Sequence, residues 1–262
     1  TPDDSAIVIW AGGKLHRVPA RGGPSVEIPF HVVDQRAVSK AVRSPVEVAP
    51  AKFDVKLLRW PQLTPDGSKV VYTALGKLYV RDMASGQVRR LTTQNDHHEF
   101  YPSLSRDGKQ VVYVAWDDAE LGSIRVVPIG GGEGKTLSPH PGHYVEPVIS
   151  PDGKTLVYRR ASGGGLFSPR WSRDTGVFAL PLDLASKPKR GRKADAGAAS
   201  DSSAAEVLVS RSGVTPHFGA ASDRVFLVED GDDEAGVLVS MELDGNQRRE
   251  HAQSKRGEEF QV

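Results

Sequence analysis

Ser150-Pro151-Asp152-Gly153-Lys154-Thr155-Leu156-Val157-Tyr158 is a tight-turn signature that runs straight into a strand. Proline presets φ at the second turn position, aspartate bonds the backbone two residues on, and glycine tolerates φ > 0. Set between two short apolar runs, such a turn closes a β-hairpin with a loop of about three to four residues. The phrase recurs as Thr64-Pro65-Asp66-Gly67 before Val70-Val71-Tyr72, and as Ser105-Arg106-Asp107-Gly108 before Val111-Val112-Tyr113. A weaker copy, Thr1-Pro2-Asp3-Asp4, opens the chain before Ile7-Val8-Ile9-Trp10, and a worn one, Ala221-Ser222-Asp223, precedes Val225-Phe226-Leu227.

The copies keep a period. Tyr72 to Tyr113 is 41 residues, Tyr113 to Tyr158 is 45, Tyr158 to Leu227 is 69 and Trp10 to Tyr72 is 62, the two long intervals each carrying an insertion. A spacing of about 40–45 residues with four strand-like runs per unit is the signature of a β-propeller among repeat architectures. Within one unit the runs are Phe100 to Leu104, then Gln110 to Trp116 with period-2 alternation, then Ser123 to Pro128 after a polar turn at Asp117 to Gly122. Gly130-Gly131-Gly132 turns the chain into a short outer strand, Gly134 to Leu137. No window shows a 3.6-residue apolar period, so an all-β chain of about five antiparallel four-stranded blades is expected, within a ring of six or more. Four blades are placed near 57–93, 98–138, 143–209 and 213–251. A fifth is split, its last three strands within residues 1–30 and its first at Glu258–Val262, which would sit beside Ile7–Trp10 if the ring closes here.

All 262 residues are read as one propeller domain with two insertions. Residues 31–56 alternate weakly (Val46, Val48, Phe53, Val55), which suggests extended structure, with a short helix at Asp34–Val42 as the competing reading. Residues 186–205, a basic run from Lys187 to Lys193 followed by an Ala/Asp/Ser-rich stretch, lack core-forming side chains and read as a solvated loop.

Charge is balanced at +1, from 34 basic and 33 acidic residues, so nothing draws the chain generally to nucleic acid. Cysteine is absent, which excludes a disulfide framework and thiolate chemistry. No apolar run approaches the roughly 20 residues of a membrane-spanning helix. The first residue is Thr rather than Met, so the natural N-terminus is expected upstream or removed.

The x-Pro-Asp-Gly-Lys-x-φ-Val-Tyr phrase, followed by Lys77-Leu78-Tyr79-Val80-Arg81-Asp82 and Arg89-Arg90-Leu91-Thr92, resembles the TolB-like propeller repeat. The runs Ala74 to Val80, Glu99-Phe100-Tyr101-Pro102 and Val114-Ala115-Trp116-Asp117-Asp118 are similar to the propeller that precedes the metal-dependent barrel in large bacterial amidohydrolase-family proteins. The resemblance covers nearly the whole chain. It implies a periplasmic or secreted protein whose partner is a protein or peptide, its own catalytic domain included. It also implies that a divalent metal belongs to that further domain, with no cofactor in this chain. Two alternatives stay open: a stand-alone protein-binding propeller of the TolB kind, and the gating propeller of a prolyl-oligopeptidase-like peptidase.

Catalytic motifs are missing. The His-x-His of an amidohydrolase barrel has only His140-Pro141-Gly142-His143 and Asp96-His97-His98 for comparison, and neither matches. Neither a Gly-x-Ser-x-Gly elbow nor a phosphate-binding loop opening a helix is present. No catalytic or metal-ligating residue is therefore assigned. In a propeller the links between blades share a rim with the turns from second to third strand. This places His97, His98, Glu99, His140, His143 and Tyr144 beside Trp116, Asp117 and Asp118, and the nine form a candidate binding rim. An aromatic face next to carboxylates favours a cationic or peptide group. The competing structural reading has Trp116 packed under its own loop while the aspartates cap the turn. The acidic run Glu229 to Glu234 lacks calcium-loop spacing and reads as a hairpin tip.

Overall fold

The computed structural model describes residues 1–43, 47, 49–161, 174–182, 206–231 and 235–255. Outside them lie the 186–205 insertion, Val46 and Val48, residues 232–234 of the acidic run, and Glu258–Val262 with the closure expected of it. The chain forms two compact units, Thr1–Phe53 and the remainder from Asp54.

In the first unit β1 (Ala6–Ala11), β2 (Lys14–Pro19) and β3 (Val26–Ile28) make one antiparallel sheet in that order. The described part of residues 31–56 holds neither strand nor helix, so the short helix at Asp34–Val42 does not form. Its apolar residues are too sparse to bury a helical face, and Val32, Val33, Val38 and Val42 are all exposed.

The second unit contains four antiparallel sheets of four strands each, in chain order. They are β4 to β7 (Arg59–Leu63, Lys69–Ala74, Lys77–Asp82, Val88–Arg90) and β8 to β11 (His98–Leu104, Gln110–Asp117, Leu121–Pro128, Lys135–Thr136). Then come β12 to β15 (Tyr144–Ile149, Thr155–Arg160, Gly176–Pro181, Val207–Ser210) and β16 to β19 (Val214–Phe218, Arg224–Asp230, Gly236–Glu242, Arg249–Gln253). The described residues contain no helix. Each sheet falls where the repeat places a blade, and the architecture is that of a β-propeller.

Turn chemistry explains why the repeat folds this way. In three turns the hydroxyl of the first residue accepts the N–H five residues on: Lys69 to Thr64 (2.9 Å), Gln110 to Ser105 (3.0 Å) and Thr155 to Ser150 (2.9 Å). The same hydroxyl donates to the aspartate two residues on, at 2.7, 2.7 and 2.6 Å. That aspartate in turn accepts the N–H of Ser68, Lys109 or Lys154. Thr1, Asp3, Ser5 and Ala6 repeat these offsets, so the opening phrase is a true copy. Arg106 replaces proline without altering the pattern, whereas Ala221 offers no hydroxyl and cannot join it. The bonds hold the Asp66 carboxyl at about 2, the Thr64 hydroxyl first among the causes. Ser150→Ala strips the bonded hydroxyl from a residue that is 1% exposed. We expect a loss of about 1–3 kcal/mol in urea unfolding, with an unchanged denaturant slope.

The core lies in slices between neighbouring sheets. Alternation along β9 sends Val111, Tyr113 and Ala115 to one slice, with Leu78 and Leu91, and Val112 and Val114 to the next, with Ile124 and Tyr158. The period of 2 thus divides side chains between two dry faces rather than between core and water. A third slice joins Val157, Val177, Val225, Leu227 and Val239. The turn from β9 to β10 is shorter than the sequence suggests: Leu121 pairs with Asp117 and Gly122 with Trp116, leaving three residues in the loop.

Candidate functional site

The nominated rim divides into a cleft and an interior. A cleft of about 510 Å³ is lined by His97, Asp117 and His140, together with Asp96, Glu120 and Arg125, which the sequence reading left out. His97 Nδ1 lies 2.7 Å from Asp96 Oδ1 and 3.3 Å from Arg125 Nη1. Burial and then the Arg125 charge push the His97 pKa below its ordinary value, outweighing the pull of Asp96 and Glu99. Arg125 itself is steadied by the Ser123 hydroxyl, which accepts from Nε at 3.1 Å.

Trp116 is half-buried and donates from Nε1 to Asp118 Oδ1 at 2.8 Å, while its ring meets the His143 ring edge-on at 5.8 Å. Asp117 accepts the N–H groups of Ala119 and Glu120 through one oxygen, which lowers its pKa. Asp117 is therefore a turn cap and Asp118 an indole anchor. His98 is exposed on the first position of β8, opposite Trp116.

Two rim residues belong to the interior. Glu99 is completely buried; Oε2 accepts the Leu78 N–H at 2.6 Å and Oε1 the Thr92 hydroxyl at 2.5 Å. Tyr144, 1% exposed, meets Tyr158 edge-on at 5.3 Å and donates to the His140 carbonyl at 2.7 Å. Burial raises its pKa. Both sit where the strand alternation points a side chain into a core slice. A glutamate and a tyrosine beside histidines gave no sequence sign of that.

A second cavity, of about 460 Å³, lies along the inner strands of four sheets and contains none of the nine rim residues. Each inner strand carries a bulge: between Arg59 and Gln62, Phe100 and Ser103, Val145 and Val148, and Val214 and His217. The bulged residue precedes proline every time and is left-handed: Trp60 (φ 49°), Tyr101 (50°), Glu146 (54°) and Thr215 (49°). Pro61, Pro102, Pro147 and Pro216 lack an N–H, which suits a strand edge that has no ladder partner. The bulge re-aims the residue before it. All four left-handed residues line the cavity.

Their chemistry is lopsided. The Trp60 and Tyr101 rings lie 4.3 Å apart at 36°. Glu146 takes two bonds of 2.9 Å from Arg159 and one of 3.0 Å from the Thr215 N–H. The Thr215 hydroxyl is buried and bonds to no group among the described residues. His217 stacks on Phe226 at 5.4 Å, and burial lowers its pKa. A sequence signal for this site exists. Pro61, Pro102, Pro147 and Pro216 are separated by 41, 45 and 69 residues, the same intervals as Tyr72, Tyr113, Tyr158 and Leu227.

No group of three or more His, Cys, Asp or Glu side chains able to hold a metal occurs among the described residues. No helix of the described residues is long and apolar enough to cross a membrane. The sequence matches no protein-family model and no curated protein. Among solved structures it is similar to a TolB-like protein of Agrobacterium tumefaciens, at 16% identity and TM-score 0.54, over 97% of this chain and 78% of that one. An oligogalacturonate lyase in complex with manganese follows, at 11% identity and TM-score 0.52, over 97% and 63%. The tricorn protease matches at 12% identity and TM-score 0.52, over 94% and 25%, so the chain spans less than two thirds of the lyase and a quarter of the protease. At these identities the likeness speaks for architecture alone, and the architecture is a TolB-like β-propeller.

Proposed function

We propose that this chain is a non-catalytic recognition propeller of a larger amidohydrolase-family protein, exported to the periplasm or beyond. In that role it holds a protein or peptide segment, or its own catalytic domain, against the rim. The amidohydrolase and export readings rest on sequence resemblance. The observation that carries the binding role is the rim cleft, where the Arg125 guanidinium faces Asp96 and Asp117 around His97 on a rigid four-sheet scaffold. Groups of both charge signs in one concavity suit a polar peptide segment, whose ammonium, carboxylate and amide groups need partners of both kinds. The alternative reading, a free-standing protein-binding propeller of the TolB kind, rests on the same sequence resemblance.

Catalysis of amide hydrolysis needs a positioned nucleophile or metal-bound water and a general base. The purified chain, supplied with zinc or manganese, is expected to show no turnover of dipeptide or acyl-amide substrates. Peptides selected from a displayed library are expected to bind wild-type chain and to lose at least tenfold in affinity on Arg125→Ala. Metal-dependent turnover, or peptide affinity indifferent to Arg125, would overturn the proposal.

A further inference from the structure

We infer that the group the rim cleft takes from a peptide is a carboxylate, held end-on by the Arg125 guanidinium. The inference deepens the peptide-binding role proposed for that cleft and rests on it. Arg125, on β10, is the only lysine or arginine among the described residues of the cleft wall. No described carboxylate is paired with its guanidinium. Nε donates to the Ser123 hydroxyl at 3.1 Å, which fixes the plane of the group, and Nη1 lies 3.3 Å from His97 Nδ1.

That ring nitrogen is already engaged. Asp96 Oδ1 lies 2.7 Å from it, and this bond is the first cause of the lowered Asp96 pKa. An ionised carboxylate only accepts, so Nδ1 must carry the proton. A protonated ring nitrogen has no lone pair for Arg125, and the 3.3 Å contact therefore sets two donors side by side. Nη2 bonds to no described group and is not sealed from solvent. Both Nη atoms thus keep free N–H groups in a concave wall. That is the planar fork which a carboxylate fills with two parallel bonds.

The acids nearby do not fill it. His97 stands between Asp96 and the guanidinium, and Asp117 caps its own turn through the N–H groups of Ala119 and Glu120. Glu120 is exposed on that turn. These three carboxylates set the rest of the ligand: they repel a phosphate dianion and offer acceptors to N–H groups. A carboxylate monoanion with amide N–H groups beside it meets both demands. A peptide supplies one from its C-terminus or from an aspartate or glutamate side chain. Occupancy also acts back on His97. The Arg125 charge is second only to burial in lowering the His97 pKa, so an anion on the guanidinium raises it.

The test is NMR titration of the isotopically labelled full chain, read on the Arg125 Nε–H and His97 ring signals. The probes are N-acetyl-dialanine as free acid and as amide, the α-amide of N-acetylglutamate, and inorganic phosphate. Saturable shifts are expected with at least one of the two carboxylates, at least tenfold tighter than with the dialanine amide and tighter than with phosphate. Tighter binding of the dialanine acid assigns a chain terminus, and tighter binding of the glutamate an acidic side chain. Arg125→Lys keeps the charge without the fork and should weaken binding several-fold; Arg125→Gln should weaken it at least tenfold. Saturation of the wild-type chain should raise the His97 pKa. No saturable binding of either carboxylate, amide or phosphate binding that is equally tight, affinity indifferent to Arg125→Gln, or a His97 pKa unmoved at saturation would each overturn the inference. Library peptides that need Arg125 but no carboxylate of their own would also overturn it, while leaving the peptide role standing.

Discussion

Replacing Glu99 with alanine is expected to destabilise the protein by about 3–5 kcal/mol, the range for removing one partner of a buried charged cluster. The carboxylate is fully buried and is the hydrogen-bond acceptor for the Leu78 N–H and the Thr92 hydroxyl. His97 Nε2 lies 3.6 Å from Oε1 and Arg90 Nη2 lies 3.9 Å from the same oxygen. Alanine would leave a backbone donor, a hydroxyl and a guanidinium without their shared acceptor, in a site that water does not enter freely. Each buried group left unsatisfied costs about 1–3 kcal/mol. Glu99→Gln keeps the shape and one acceptor oxygen, so its cost should be clearly smaller. Glu120→Ala, on the exposed turn of the same sheet, should stay within about 0.5 kcal/mol. Urea midpoints for the three variants decide the matter. An alanine variant as stable as the glutamine one would show that the carboxylate is not what ties β8 to the preceding sheet.

Acid should weaken the protein before its carboxylates titrate. His97 is 5% exposed and its pKa lies below the ordinary 6.5, held down first by burial and then by Arg125. Burial lowers His143 and His217 as well. A histidine that is harder to protonate in the folded state leaves the unfolded chain binding more protons below about pH 6.5. Stability is then full above that value and falls as the pH drops toward the depressed folded pKa, by up to about 1.4 kcal/mol per pH unit for each such histidine. The turn aspartates act lower down. Asp3 and Asp66 are held at about 2, so their contribution disappears only below the usual carboxylate range. Between about pH 4.5 and 6.5 the slope therefore reports the histidines. Unfolding free energies across that window should rise with pH in the wild-type chain and rise less steeply in His97→Gln. Equal slopes in the two proteins would remove His97 from the account.

The fold was legible because its determinants are local. A hydroxyl at one position and an aspartate two residues on fix each turn, and both can be read from Thr64-Pro65-Asp66-Gly67 without tertiary information. The strands follow from the turns. The site was less legible because its determinants are not local. Glu99 and Tyr144 read as polar loop neighbours of histidines, yet strand alternation turns both into core slices, where each finds a partner from another element or loop. Arg125 passed for an ordinary strand residue, although it is the cation of the rim cleft. Trp60, Tyr101, Glu146 and Thr215 differ so much in type that nothing in their chemistry marks them as equivalent; only the prolines after them keep the beat. Whether four such positions converge is a question of how sheets are arranged in space, and a period in the sequence does not state it.

The bulges on the inner strands have one more consequence. Because the left-handed backbone and the following proline recur while the side chain does not, each of the four positions works as an interchangeable socket. Exchanging tryptophan for glutamate at one of them swaps one strained non-glycine residue for another, with the turn and the ladder untouched. The chemistry of the cavity wall can thus drift in sequence while the frame stays fixed. A duplicated blade inherits a socket already shaped and already aimed, and one codon change is enough to give it a new character.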